Sequence, residues 1–472
     1  MLEHPKHLIE EEFALKLKKN KSVVKYNELL KFSTPPNEKS KDLYNNLYDE
    51  TLNKLIGQYE KRSKLEYFSW LDFEYLKDSI ADLQKLVEDY RSRSYKNLLV
   101  VGMGGSGINA LVLRNALFEN NLKPEKPWIG VQNNLDTSSM LSKLKELDEL
   151  SILNQTVLLF ISKSGGTDEV RRNINSTIDY LSDKYGNNET ALEIFAKQSI
   201  FITENNEGNF LNKLAKEIKE KTDVEIPVLE HHPEIGGRFS MFSSVGMLPA
   251  LFMDLDVNKL LIGAEESFKD LISKKELESS DLAQLALYDI LLSQNNYTNK
   301  YSMVYSDSLE ALNKFRAQLK GESLNKKGID STIHIPGVGT VNHHSDLELL
   351  FKENNGVILE QIVFVEPFTD HINQDTGLDC LDDIKEQSNH LALLKSHVIP
   401  IYKYLAANNH PVFISFIDKQ NEESLGYFLM QDMLITVLQA GLQGKLDDAI
   451  RQWEVERYKK DVKSMNLSKS SR

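Results

Sequence analysis

The sequence predicts an α/β protein with two successive parallel-sheet units, a helix-rich segment ahead of them and a final helix behind. Three observations lead there. Apolar, strand-like runs alternate with amphipathic stretches from about residue 97 onward, the signature of a parallel sheet covered on both faces. Two of these runs, Asn97–Val101 and Thr156–Ile161, break abruptly into glycines and hydroxyls, as buried strands do when they deliver a polar loop to a helix start. The chain has 472 residues, more than one compact unit accommodates.

Residues 1 to about 95 read as mostly helical, with a turn-rich break at Phe32-Ser-Thr-Pro-Pro-Asn-Glu-Lys-Ser40 and no recognisable chemistry. They are expected to wrap the rest. Further strands are expected at Trp128–Val131, Ser199–Thr203 and Val224–Leu229, with an amphipathic helix around Leu211 to Ile218. The second unit supplies strand candidates at Ser302–Tyr305, Thr332–Ile335, Gln361–Val365 and Val412–Ile417. Between the first two of these, Leu309, Leu312, Phe315 and Leu319 form the apolar stripe of a helix from Ser308 to about Gly321. The tail, Lys445 to Val462, reads as a last helix with Leu446, Ile450 and Trp453 on one side.

The totals exclude several classes. A net charge of −14 with no Lys/Arg block argues against nucleic acid or an anionic membrane as partner. Cys380 is the single cysteine, which leaves no internal disulfide or cysteine-based metal cluster and suits a reducing compartment. The start lacks a basic flank leading to an apolar core, and the weakly polar run Ser240 to Met253 is too short to span a bilayer. A cytoplasmic, soluble chain is expected.

The loop Ser162-Lys-Ser-Gly-Gly-Thr167 has the composition of an anion site. Ser162, Ser164 and Thr167 offer hydroxyl donors, Gly165 and Gly166 let backbone N–H groups turn inward, and the next helix directs its positive end there. The other loop, Gly102-Met-Gly-Gly-Ser-Gly107, matches G-x-G-x-x-G, but the following strand candidate ends in Gln132-Asn-Asn rather than the acid a dinucleotide ribose requires. Both loops belong at the carboxyl edge of one sheet. Next, Glu234-Ile-Gly-Gly-Arg-Phe-Ser240 brings a planar cation, Arg238, beside two glycines. Gln318 and Glu322, four apart on a helix, share a face. Gly339-Thr-Val-Asn-His-His-Ser-Asp346 carries two adjacent histidines, only one of which is expected to face a site. Gln452 and Lys459, seven apart, lie on a common helix face.

Taken in order, G-G-S-G, S-K-S-G-G-T, G-G-R-F-S, Q-x-x-x-E-S, G-T-x-x-x-H-S and Q-x-x-V-E-x-x-K closely resemble the glucose-6-phosphate isomerase family, from about Val100 to Lys460. The resemblance implies two sugar-isomerase (SIS) domains, each a three-layer αβα unit, and a C-terminal helical arm. The expected division is 1–95 for the helical segment, 96–265 and 266–440 for the two domains, and 441–472 for the arm. It also implies roles. Gly105 and Ser106 would contact the sugar phosphate, while Ser162, Lys163 through its backbone, Ser164 and Thr167 would hold the phosphate. Gly237, Gln318 and Gln452 would bind substrate. Arg238, Glu322, His344 and Lys459 would be catalytic, with His344 supplied by the neighbouring subunit of a homodimer with shared active sites. The chain departs from the family pattern at Gly166 and Val170, where Thr is common, at Glu454 and Tyr458, where glycines stand, and at His343, where Gln often precedes the histidine.

Aldose–ketose isomerisation needs ring opening and a proton moved between C1 and C2, and neither step calls for a metal or redox cofactor. No cofactor is therefore expected, and the implied setting is glycolysis and gluconeogenesis. Imidazole suits the first step and a carboxylate placed over both carbons suits the second, with an arginine beside the negative cis-enediol. Two alternatives stay open: an isomerase accepting both glucose and mannose phosphates, and a non-catalytic sugar-phosphate-binding SIS protein. NAD binding is a minor third, and an amidotransferase would need a cysteine at its amino end where this sequence has Met1-Leu2.

Overall fold

A computed structural model describes residues 5–26, 29–61, 68–118, 126–353, 355–368 and 390–451. The chain opens with α1 (Pro5–Phe13), β1 (Ser22–Tyr26), α2 (Glu38–Tyr59) and α3 (Phe73–Ser92). In α3, Leu76, Ile80, Leu83, Val87 and Tyr90 are buried at helical spacing, so one stripe faces the core and the rest faces water.

The first sheet contains β2 (Asn97–Gly102), β3 (Ile129–Gln132), β4 (Thr156–Ile161), β5 (Ser199–Thr203) and β6 (Val228–Glu230). Its order is β3-β2-β4-β5-β6 and every pair is parallel. The crossovers are α4 (Gly105–Leu113), α5 (Thr137–Glu149), α6 (Asp168–Tyr185), α7 (Asn188–Gln198) and α8 (Phe210–Thr222). Leu98–Val101 and Val157–Ile161 are wholly buried, as strands covered by helices on both faces must be. In the central pair Gly102 stands opposite Ile161. Both polar loops therefore leave the same sheet edge side by side, about 5 Å apart at the strands.

After α9 (Ser244–Phe252) and α10 (Val257–Ile272), the second unit runs through α11 (Asp281–Gln294), β7 (Asn299–Val304), α12 (Glu310–Leu324), β8 (Ile333–Val338), α13 (His343–Phe351), β9 (Val357–Glu366), α14 (His390–Leu393), α15 (Ile399–Ala407), β10 (Val412–Lys419) and α16 (Glu422–Gly441). A short helix, α17 (Leu446–Ile450), follows. The order is β1-β10-β9-β7-β8, parallel except for β1, which pairs antiparallel with β10. The units meet where α10 packs on α16 and α12 packs on α4.

β1 is absent from the sequence reading of residues 1–95, and its five residues, Ser-Val-Val-Lys-Tyr, explain why. So short a run in a lysine-rich stretch shows little periodicity, and pairing with β10 supplies what the local sequence does not. β6 starts at Val228 rather than Val224, because Pro227 just before it lacks a ladder donor. β9 is longer than expected, starting at Val357. The expected helix from Lys445 is seen as α17 and ends at Ile450 with Arg451 as its C-cap, while the stretch from Gln452 onward, with Lys459, lies outside the described residues, as does Cys380. Among the described residues no helix is long and apolar enough to cross a membrane.

α12 carries the two units' junction. Its inner face holds Arg316, 3% exposed, which donates to Asp432 and Glu360 at 2.7 Å each. Burial alone would lower that guanidinium's pKa, but the two carboxylates outweigh it and hold the pKa above its ordinary value. Gln318 and Glu322 stand on the other face.

Candidate active site

The loop after β4 is folded on itself. Ser162 Oγ lies 2.7 Å from Thr167 Oγ1, and the Gly165 N–H donates to Ser162 O at 3.0 Å. Gly165 has φ +66°, a conformation glycine adopts at little cost. Thr167 is the N-cap of α6 yet makes no side-chain cap bond, because its hydroxyl is turned to Ser162. The N-caps of α5, α7 and α8 (Asp136, Asn187 and Asn209) all accept from their own first turn. The leading N–H groups of α6 have no intrahelical partner and face the loop. Ser164 is exposed and Ser162 is buried. The Lys163 carbonyl accepts from the Glu204 N–H at 3.0 Å, and its ammonium donates to Pro233 O at 2.6 Å, which joins this loop to the one before Arg238.

The loop after β2 makes the second wall. A Cβ on Gly105 would sit 1.9 Å from Gly237 O, and one on Gly104 (φ +55°) would sit 2.6 Å from Gln318 Nε2. Only glycine lets the start of α4 touch both the Arg238 turn and α12. Ser106, next along α4, is buried.

Arg238, Gln318 and Glu322 are brought together. Arg238 is 1% exposed, and its Nη1 lies 3.4 Å from Glu322 Oε2. Nε donates to Ser323 Oγ at 2.7 Å, while Nη2 donates to the carbonyls of Ala449 at 2.6 Å and Ile450 at 2.8 Å. Burial draws the guanidinium down to about 10, Glu322 acting in the opposite direction, so it remains a cation at neutral pH. Gln318 Nε2 donates to Glu322 Oε1 at 3.0 Å. The Glu322 side chain is 29% exposed, open enough to meet a ligand.

His344 is not part of this cluster within one chain. α12 leaves the carboxyl end of β7 and leads to the start of β8, so Glu322 lies toward the amino ends of the second sheet, whereas His344 follows the far end of β8. Six strand residues separate the two edges by roughly 20 Å. His343 is turned inward: its Nε2 lies 3.0 Å from Tyr305 Oη, and its ring stacks on His397 at 5.7 Å. Burial, then His397 and His344, pull His343 down to about 4. His344 is left exposed on α13.

Several residues escaped the sequence reading. Ser323 and the carbonyls of α17 fix Arg238, and Lys326 grips the same short helix through the carbonyls of Asp448 and Arg451. The amino-terminal segment also buttresses the Arg238 turn. Trp70, fully buried, stacks on Phe239 at 5.1 Å, and Ser69 Oγ donates to Glu234 at 2.7 Å; from α4, Asn109 donates to Ser240 Oγ at 3.0 Å. Ser323 stood within a motif; Trp70, the one tryptophan of residues 1–95, was the other available signal. Backbone acceptors leave none.

The family model described as phosphoglucose isomerase matches residues 77–351. A glucose-6-phosphate isomerase of Carboxydothermus hydrogenoformans is 29% identical over 328 residues, covering 66% of this chain and 65% of that one. One from Rubrobacter xylanophilus is 28% identical over 364 residues, covering 76% and 79%. Among solved structures, a hypothetical protein from Thermus thermophilus superposes with TM-score 0.75 at 20% identity, covering 94% of this chain and 99% of that one. A glucose-6-phosphate isomerase from Chlamydia trachomatis gives TM-score 0.75 at 17% identity, covering 99% and 93%. The paired αβα fold and these relatives define a sugar-phosphate isomerase by class. Within that class, the chain belongs to the phosphoglucose isomerase family.

Proposed function

We propose that this protein interconverts glucose 6-phosphate and fructose 6-phosphate through a cis-enediol, as a cytoplasmic homodimer. The observation that carries this reading is the Glu322 carboxylate, held between Gln318 and Arg238 and partly open where α12 meets the glycine-lined loop after β2, whose strand neighbours the one that delivers the Ser162–Thr167 loop. Ser162, Ser164, Thr167 and the Lys163 backbone take the phosphate, with Gly105, Ser106 and Gly237 along the sugar. Glu322 removes the C2 proton and returns it to C1, general acid–base work that contributes on the order of 10²–10⁴-fold. Gln318 orients it. Arg238 stabilises the developing enediolate from a site where it is already desolvated and oriented, so little reorganisation opposes the step. His344 of the partner subunit opens the ring, a reading supported by its distance from Glu322 along β8 and by its exposure. Lys459 assists at the ring oxygen, and Gln452 completes the substrate contacts. The proposed division is a helical segment, 1–95, two sugar-isomerase domains, 96–265 and 266–440, and an arm, 441–472.

The test is turnover of fructose 6-phosphate to glucose 6-phosphate by the purified chain. Turnover is expected; binding of fructose 6-phosphate without conversion would make the protein a sensor instead.

A further inference from the structure

Four consecutive carbonyls at the end of α17 are occupied by two cations from elsewhere in the chain. Arg238 takes those of Ala449 and Ile450, and Lys326 takes those of Asp448 and Arg451. α17 is five residues long, too short to hold its own geometry. The last carbonyls of any helix lack intrahelical partners, and cations placed there both satisfy them and complement the helix dipole. Leu324 and Ile329, which flank Lys326 in sequence, cluster with Ala440 of α16 and with Ala449 of α17. α17 is therefore held from two sides, and what it presents in return is the pair of acceptors that fixes the Arg238 guanidinium.

We infer that Lys326 is a positioning residue for the reaction: by gripping the Asp448 and Arg451 carbonyls it fixes α17 as the platform on which Arg238 is oriented. The inference rests on the role proposed above for Arg238. Without Lys326, two helix-end carbonyls lose their charged donor and α17 loosens. Arg238 then keeps only Ser323 and Glu322 as firm partners, and the guanidinium closes on the carboxylate that has to reach substrate. The loss falls on the chemical step more than on binding, since the phosphate loop lies on the other unit.

The charged groups facing the Lys326 ammonium are Arg238, from the turn before α9, Asp448 of α17 and Glu322 of α12. Burial, then Arg238, lowers the ammonium to about 8, the two carboxylates opposing the shift. Above that pH the neutral amine holds the carbonyls less firmly, so the platform weakens as pH rises.

Two variants test this in the full-length protein. Lys326→Met is expected to lower kcat about 10–100-fold with KM for fructose 6-phosphate within about threefold, and to speed hydrogen exchange of the amides in 446–450. Lys326→Arg keeps a permanent cation with two or more donors. It should hold kcat within about threefold of the parent and move the alkaline fall in kcat, expected near pH 8 in the parent, upward by about a unit or more. Parental kcat and parental exchange in Lys326→Met would overturn the inference, as would an alkaline limb that stays in place in Lys326→Arg. If Lys326→Met fails to fold, the arginine variant decides alone. A parent without turnover would instead overturn the proposed function, and exchange at 446–450 would still judge the Lys326 contact.

Discussion

Arg238 and Glu322 form an ion pair at 3.4 Å in which the cation is buried and the carboxylate is 29% exposed. The guanidinium's remaining donors are committed to Ser323, Ala449 and Ile450, so its position does not depend on the carboxylate. Such an asymmetric pair keeps a fixed positive charge beside a partly exposed carboxylate.

Replacing Arg238 with Lys keeps the charge but offers one compact ammonium for four acceptors. Each buried acceptor left without a donor costs about 1–3 kcal/mol. Arg238→Lys is expected to unfold at a lower temperature and to lose about 10²–10³-fold in kcat, the range seen when one preorganised donor to a developing oxyanion is removed. Paired thermal unfolding and steady-state kinetics check both, and parental kcat would remove Arg238 from the chemistry.

The loop hydroxyls should separate binding from stability. Ser164 is exposed, and among the described residues its Oγ accepts one long bond, 3.4 Å, from the Gly166 N–H. Ser164→Ala should raise KM about tenfold, the worth of one charge-assisted hydrogen bond, at unchanged unfolding temperature. Thr167→Ala also removes the partner of Ser162, so it should raise KM and lower stability together. A defect confined to kcat in either variant would contradict the phosphate role.

His344 and Glu322 lie at opposite edges of the second sheet, and in the homodimer proposed above each site takes one of them from each chain. Mixing inactive Glu322→Gln and His344→Ala proteins under subunit exchange should restore about a quarter of parental activity, the share of sites that draw both intact residues under random pairing. No regained activity in verified hybrids would mean a site built from one chain.

Two histidines set an acid limit on stability. His231 is buried and His343 is held by Tyr305 and His397, and both are drawn down to about 4, burial being the first cause in each. The unfolded chain protonates them near 6.5, so the folded state binds fewer protons between those values. The stability they contribute is complete above about 6.5 and is lost as pH falls toward 4, with His231 the larger contributor because His343 is partly solvated. Thermal unfolding from pH 7 to 4.5 should show this decline, and His343→Gln should flatten it in part. An unchanged slope would remove His343 from the linkage.

Much of the architecture was legible because buried parallel strands write themselves as apolar runs. Ser199–Thr203 and the Thr156–Ile161 strand coincide with the observed elements, and the four-residue spacing of Gln318 and Glu322 became a hydrogen bond. What the sequence concealed depends on distant pairing. β1 is defined by β10, and the anchoring of Arg238 uses backbone carbonyls that any residue would provide. Gly105 is intermediate: its motif was visible, but its close approach to Gly237 was not.

The central claim is that one carboxylate, Glu322, carries the proton between C2 and C1. The direct measurement is deuterium incorporation during glucose 6-phosphate turnover in D2O, for the parent and for Glu322→Gln. The parent should place solvent deuterium at C1 of fructose 6-phosphate, and Glu322→Gln should lose incorporation and turnover together by roughly three decades while keeping sugar-phosphate affinity within a few fold. Undiminished incorporation by the Glu322→Gln protein would contradict the account.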